Sequence, residues 1–81
     1  MNVNTVFERT LYQLIVADVR KHVPGVKLRD AWVWNSGNDL WEFHYKDFYW
    51  HGSASGAFDA KAKGWSAYLE KQGVAEYNRE D

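Results

Sequence analysis

Between Thr5 and Val23 the apolar side chains Phe7, Leu11, Leu14, Ile15, Val19 and Val23 recur at steps of three and four, while Glu8, Arg9, Gln13, Arg20 and Lys21 fall mostly on the opposite side. That period predicts an amphipathic helix with one stripe turned to a core. Thr5 with Glu8 three residues on has the form of a capping box, in which hydroxyl and carboxylate serve backbone N–H groups at the helix start. Arg20, Lys21 and His22 meet the negative pole of the helix dipole, and Pro24-Gly25 ends the run.

The period then changes to two. Val26, Leu28, Asp30, Trp32 and Trp34 alternate with Lys27, Arg29, Ala31, Val33 and Asn35, which predicts a strand with Trp32 and Trp34 on its core face and Val33 on the other. The turn formers Asn35 to Asp39 predict a hairpin loop. In the next strand, Leu40 to Lys46, one face carries Trp41, Phe43 and Tyr45, and the other Leu40, Glu42, His44 and Lys46. Lys46-Asp47 allows a tight turn or a bulge, and Phe48 to His51 follows as a short strand with Tyr49 and His51 turned away from Phe48 and Trp50.

Gly52 to Gly56 interrupts the alternation and offers Ser53 or Ser55 as the cap of a second helix. Ala54, Phe58, Ala62, Trp65 and Leu69 recur at helical steps, Gly73 is placed as the residue after the helix, and Val74 can fold back on Leu69. Gly64 inside this helix costs roughly 1 kcal/mol against Ala. Close approach to Trp32, Trp34 or Trp41 would offset it.

Two helices around a small antiparallel sheet predict an α+β fold, a two-layer α-β-β-β-α arrangement with both helices packed on one sheet face. The expected core comprises Phe7, Leu11, Leu14, Ile15 and Val19 of the first helix; Leu28, Trp32, Trp34, Trp41, Phe43, Tyr45 and Trp50 of the sheet; and Phe58, Ala62, Trp65 and Leu69 of the second helix. Residues 1–75 are expected to form a single compact domain, and 76–81 a frayed acidic tail.

Composition explains how so short a chain holds together. Its 81 residues leave room for one core, and with no cysteine there is neither a disulfide nor a thiolate metal site to reinforce it. Five Trp, five Tyr and four Phe supply the bulk instead. Met1 to Thr5 has no basic segment leading into an apolar run, and no stretch approaches the ~20 apolar residues of a membrane span, so a soluble cytoplasmic protein is expected.

Ten Lys and Arg against eleven Asp and Glu give a formal charge of -1, without the basic excess of a protein that holds nucleic acid by its phosphates. The order helix, three strands, helix, together with Gly52 to Lys61, nevertheless resembles the double-stranded RNA-binding domain. Gly52 matches the family's first glycine, Asp59 its acidic residue, Ala60 its Ala and Lys61 its final Lys. The resemblance implies a two-layer fold that meets duplex RNA through the last helix. At the positions of the family's adjacent, phosphate-binding lysines stand Ala57 and Phe58, which removes that chemistry. Were nucleic acid nonetheless the partner, Lys61, Lys63, Arg20 and Lys21 would form its contact.

Catalytic chemistry has little to stand on. Among His22, His44 and His51 the one compact pair, His44 and His51, falls on different strands and out of register across the Lys46-Asp47 turn, so no metal is expected, and there is no phosphate loop, nucleotide fingerprint or nucleophile elbow. Glu42, His44 and Tyr49 share a sheet face, yet an open face lacks the depth that shifts pKa values for acid-base work. No enzyme activity and no cofactor are expected. The surplus of aromatics points to binding: a small protein-interaction module, regulatory or inhibitory, acting through Val33, Leu40, Glu42, His44, Tyr49 and His51 on another protein, or on itself as a homodimeric structural protein.

Overall fold

The computed structural model describes residues 3–73, with side chains described from residue 6 onward. Helix α1 (Val3–His22) leads through a short 3₁₀ turn (Leu28–Asp30) into strands β1 (Trp32–Gly37), β2 (Leu40–Tyr45) and β3 (Phe48–Ser53), and helix α2 (Ala57–Lys71) follows. The strands are antiparallel in the order β1-β2-β3, and both helices contact the sheet and each other. This is the α+β arrangement that the change of hydrophobic period predicts.

The principal departure lies ahead of the sheet. Leu28–Asp30 coils into the 3₁₀ turn, closed by the Ala31 N–H donating to the Leu28 carbonyl at 3.1 Å, so the strand begins at Trp32 and not at Val26. A 3₁₀ turn repeats every three residues, which carries Leu28 and Ala31 to the same side. From Ala31 the strand's period of two then turns Val33 inward. Leu28, Ala31 and Val33 all pack against the core, whereas Trp32 and Trp34 remain 52% and 49% exposed on the other face. Val33 therefore leaves the predicted outer-face set, and the two tryptophans leave the predicted core.

Both hairpins are tight. Gly37 pairs with Leu40 across Asn38-Asp39, after an irregularity between Asn35 and Gly37, so the loop is narrower than the predicted span from Asn35 to Asp39. Tyr45 pairs with Phe48 across Lys46-Asp47, which sets His44 opposite Tyr49. Asn38 and Lys46 take φ values of 50° and 53°, the left-handed region that Asn tolerates and Lys does not favour.

The inner sheet face holds the core. Trp65 of α2 meets Phe43 edge-on at 5.0 Å between centroids and lies tilted against Tyr45 at 5.0 Å, with Val19, Ile15, Ala62 and Leu69 closing around them. A Cβ on Gly64 would overlap the Phe43 ring, so the close approach foreseen for this glycine is made to Phe43 and not to a tryptophan. Trp41, Trp50 and Phe58 are half-buried.

On α1 only the later part of the stripe is covered: Ile15, Val16 and Val19 are buried, but Phe7, Leu14 and Leu11 are 66%, 63% and 39% exposed. These three were expected in the core. Viewed down the helix they lie on one flank of the line through Ile15 and Val19, and of the three Leu11 borders the groove shared with α2.

The helix ends also differ from expectation. α1 starts at Val3, ahead of Thr5, and the Glu8 carboxylate accepts a hydrogen bond from the Ser55 hydroxyl. α2 starts at Ala57 and not Ala54, with Gly56 as its cap residue and no side-chain cap; Asp59 instead reaches back to accept from the Ser55 N–H at 3.0 Å. Gly73 ends α2 at φ 95°, as its placement predicts. Val74 and the acidic tail 76–81 lie outside the described residues. Among the described residues, no helix is long and apolar enough to cross a membrane.

Candidate functional site on the outer sheet face

Cross-strand pairing arranges the outer face in rows. Trp32, His44 and Tyr49 stand opposite one another across β1, β2 and β3, and Trp34, Glu42 and His51 form the parallel row beside them. Leu40, 48% exposed, stands two residues further along β2. Among the described residues neither α1 nor α2 covers this face, because both lie against the other one.

The rows hold themselves in place. Trp32 stacks on His44 with centroids 4.1 Å apart and planes within 10°, and Tyr49 leans on the His44 ring at 4.9 Å while lying 5.7 Å from His51. In the second row one oxygen organises three residues: Glu42 Oε1 accepts from Trp34 Nε1 at 2.7 Å and from His44 Nε2 at 3.0 Å. Donation from Nε2 requires that this nitrogen carry a proton, which selects that tautomer of a neutral His44. The His44 hydrogen bond, then that of Trp34, holds the Glu42 carboxyl below the usual carboxylate range, and partial desolvation opposes them.

Such a carboxylate is a stable anion and a fixed acceptor. A general base poised for proton transfer near neutral pH needs the opposite shift and an enclosing pocket. Three cavities, of 440, 250 and 650 Å³, lie away from this face, between α1, α2 and Trp50, at the Tyr45–Phe48 turn, and beside Arg20 and Val26–Arg29. Among the described residues, no group of three His, Cys, Asp or Glu side chains is placed to hold a metal ion.

Of the residues foreseen for protein binding, Leu40, Glu42, His44, Tyr49 and His51 share this face, and Val33 does not. Trp32 and Trp34 were missed. A signal for them exists: strict alternation from Val26 would place the acid Asp30 in line with two tryptophans on a buried face, and that conflict marks the position where the period breaks.

Of the basic residues considered for nucleic acid, Lys61 and Lys63 are engaged within the fold. Lys61 sits over the Tyr12 and Phe58 rings at 5.6 and 5.7 Å, and Lys63 donates to the Ser53 carbonyl at 2.9 Å and pairs with Asp59 at 3.3 Å. Arg20 and Lys21 belong to the last turn of α1, about two turns beyond Tyr12. No protein-family model, no curated protein and no solved structure matches this chain.

Proposed function

We propose that this chain is a small, non-catalytic protein-interaction module that regulates or inhibits a larger protein by docking the outer face of its sheet against it. The observation that carries the reading is the pair Trp32 and Trp34, half-exposed on an uncovered face and braced by His44 and Glu42. Tryptophans anchor interfaces because they bury large areas, and side chains already held in place lose little freedom on binding.

The chemistry of the face favours protein over nucleic acid. The three strands, WVWNSG, LWEFHY and FYWHGS, carry one acid and neither Lys nor Arg, so nothing within them complements a phosphate chain. A base-stacking platform also needs open ring faces, and Trp32 and His44 cover one face of each other.

The test uses the full chain and its Trp34→Ala and Tyr49→Ala forms as parallel baits in lysate of the native host, followed by calorimetry with the purified partner. A partner whose affinity falls at least ~10-fold with each substitution supports the reading. Binding unchanged by both removes the outer face from the interface. Tight binding to duplex RNA or to a single strand, in a salt-dependent titration, would replace the reading with a nucleic-acid one.

A further inference from the structure

Both helices finish at one end of the molecule. The Glu8 carboxylate meets Ser55, just ahead of α2, and Tyr12 meets Phe58 at 5.6 Å, so α1 and α2 run side by side in the same direction. At that end the chain reverses at Pro24-Gly25, where Gly25 takes φ 93°, before it enters the sheet. Three hydrogen bonds fix the returning segment: the Val26 N–H donates to the Val23 carbonyl at 3.1 Å, the Lys27 N–H to the hydroxyl of buried Tyr45 at 3.2 Å, and the Asp30 N–H to the Lys27 carbonyl at 3.0 Å.

Between this segment and the last turn of α1 lies the cavity of 650 Å³, walled by Arg20, Val26, Lys27, Leu28 and Arg29. Three of the five carry a positive charge and none a negative one. Among the described residues no carboxylate pairs with these three: the ion pairs are His44 with Glu42 and Lys63 with Asp59, and Asp18 and Asp30, close in sequence, take no part. The dipole of α1 accounts for Arg20 in its last turn, but not for Lys27 and Arg29, which lie beyond the helix.

We infer that this cavity binds a phosphate-class oxoanion, a phosphate monoester group or free phosphate, with the guanidinium groups of Arg20 and Arg29 and the ammonium group of Lys27 as donors. Three like charges around one hollow repel one another, and a doubly charged anion relieves that repulsion. A guanidinium presents a planar fork of N–H donors that matches phosphate oxygens two at a time, whereas an ammonium acts as a point charge. Val26 and Leu28 add an apolar wall beside which the charges are screened less than in open water. Three cations suit a single phosphate group, while a nucleic-acid chain is held by a longer run of them. The site is separate from the outer sheet face and does not rest on the reading of that face.

NMR titration of the full chain with sodium phosphate at constant ionic strength tests the inference, alongside a tripeptide carrying phosphoserine and its unphosphorylated form. Amide and guanidinium N–H shifts within residues 20–31 should move and saturate, with a dissociation constant of ~1 mM or tighter. Arg20→Gln and Arg29→Gln should each raise the constant about 10-fold, the loss of a charge-assisted hydrogen bond. Arg29→Lys keeps the charge without the fork and should fall between. Lys63→Gln, and Trp34→Ala on the sheet face, should leave the constant unchanged. All of these side chains are exposed, and far-UV circular dichroism verifies that each variant is folded. Tighter binding of the phosphopeptide names a phosphorylated chain as the source and tighter binding of phosphate names the free ion; either supports the site. Shifts that never saturate, that sodium chloride reproduces, or that the double variant Arg20→Gln, Arg29→Gln retains overturn it. So does tighter binding of an RNA duplex, with shifts that extend along α2 beyond the cavity.

Discussion

Gly64 lies against the ring of Phe43 so closely that a Cβ at this position would overlap Phe43 Cγ, Cδ2 and Cβ. The glycine sits mid-helix, where Ala is favoured by roughly 1 kcal/mol, so it persists against its own helix propensity. Its absent side chain lets α2 settle onto β2. Gly64→Ala should therefore destabilise the fold by about 2 kcal/mol or more, since forcing a methyl group into a packed site outweighs the gain in propensity. Urea denaturation reads the loss, and adding Phe43→Leu should recover part of it. An alanine form as stable as the parent chain would show that the contact relaxes without penalty.

Trp65, 1% exposed, touches both Phe43 and Tyr45 and is the largest fully buried side chain. Trp65→Ala should cost about 3–5 kcal/mol, a large share of what so short a chain can have. The expected result is loss of the thermal transition, or a midpoint lowered by ten degrees or more on the order set by domain size. A small shift would place the weight of the core elsewhere.

Lys46 occupies the second hairpin with φ 53°, and Asn38 occupies the first with φ 50°. Asn enters this region readily and Lys does not. Lys46→Asn should stabilise the protein by about 0.5 kcal/mol, the backbone gain being reduced by loss of the ammonium contact with the Tyr45 ring at 5.5 Å. Denaturant midpoints measured with an unchanged slope verify it. A lower midpoint would mean that the ring contact outweighs the strain.

The fold class was legible because each element has a period long enough to read: the stripe through Ile15 and Val19, the alternation from Leu40 to Tyr45, and the steps from Phe58 to Leu69. The outer face was legible on β2 and β3, where period two runs without interruption and correctly turns Glu42, His44, Tyr49 and His51 outward. It failed on β1, because Leu28–Asp30 inserts one 3₁₀ turn that reverses parity, and a reversal of one residue exchanges every side chain between faces. Phe7, Leu11 and Leu14 failed for another reason. Hydrophobic period identifies a stripe, but its width exceeds what one neighbouring helix covers, and only the packing shows which part remains in water.

Glu42 links the missed tryptophan to the foreseen histidine, which makes its titration the most direct test of the outer face. Its carboxyl is held below the usual carboxylate range, first by His44, then by Trp34. A group whose folded pKa is depressed contributes stability that is present above its ordinary value and lost as pH falls through the lowered one. The rows should therefore remain braced at neutral pH and loosen only in acid below the ordinary range of a glutamate. Carboxyl carbon shifts followed by NMR should give a depressed midpoint, and the Trp34 Nε1–H resonance should move with the same midpoint as its acceptor is protonated. His44→Ala and Trp34→Phe should each return the Glu42 midpoint toward its ordinary value, His44→Ala by more. An ordinary midpoint in the parent chain, or one that neither substitution moves, would show that the two hydrogen bonds do not persist in solution and that Trp34 is not a pre-set anchor.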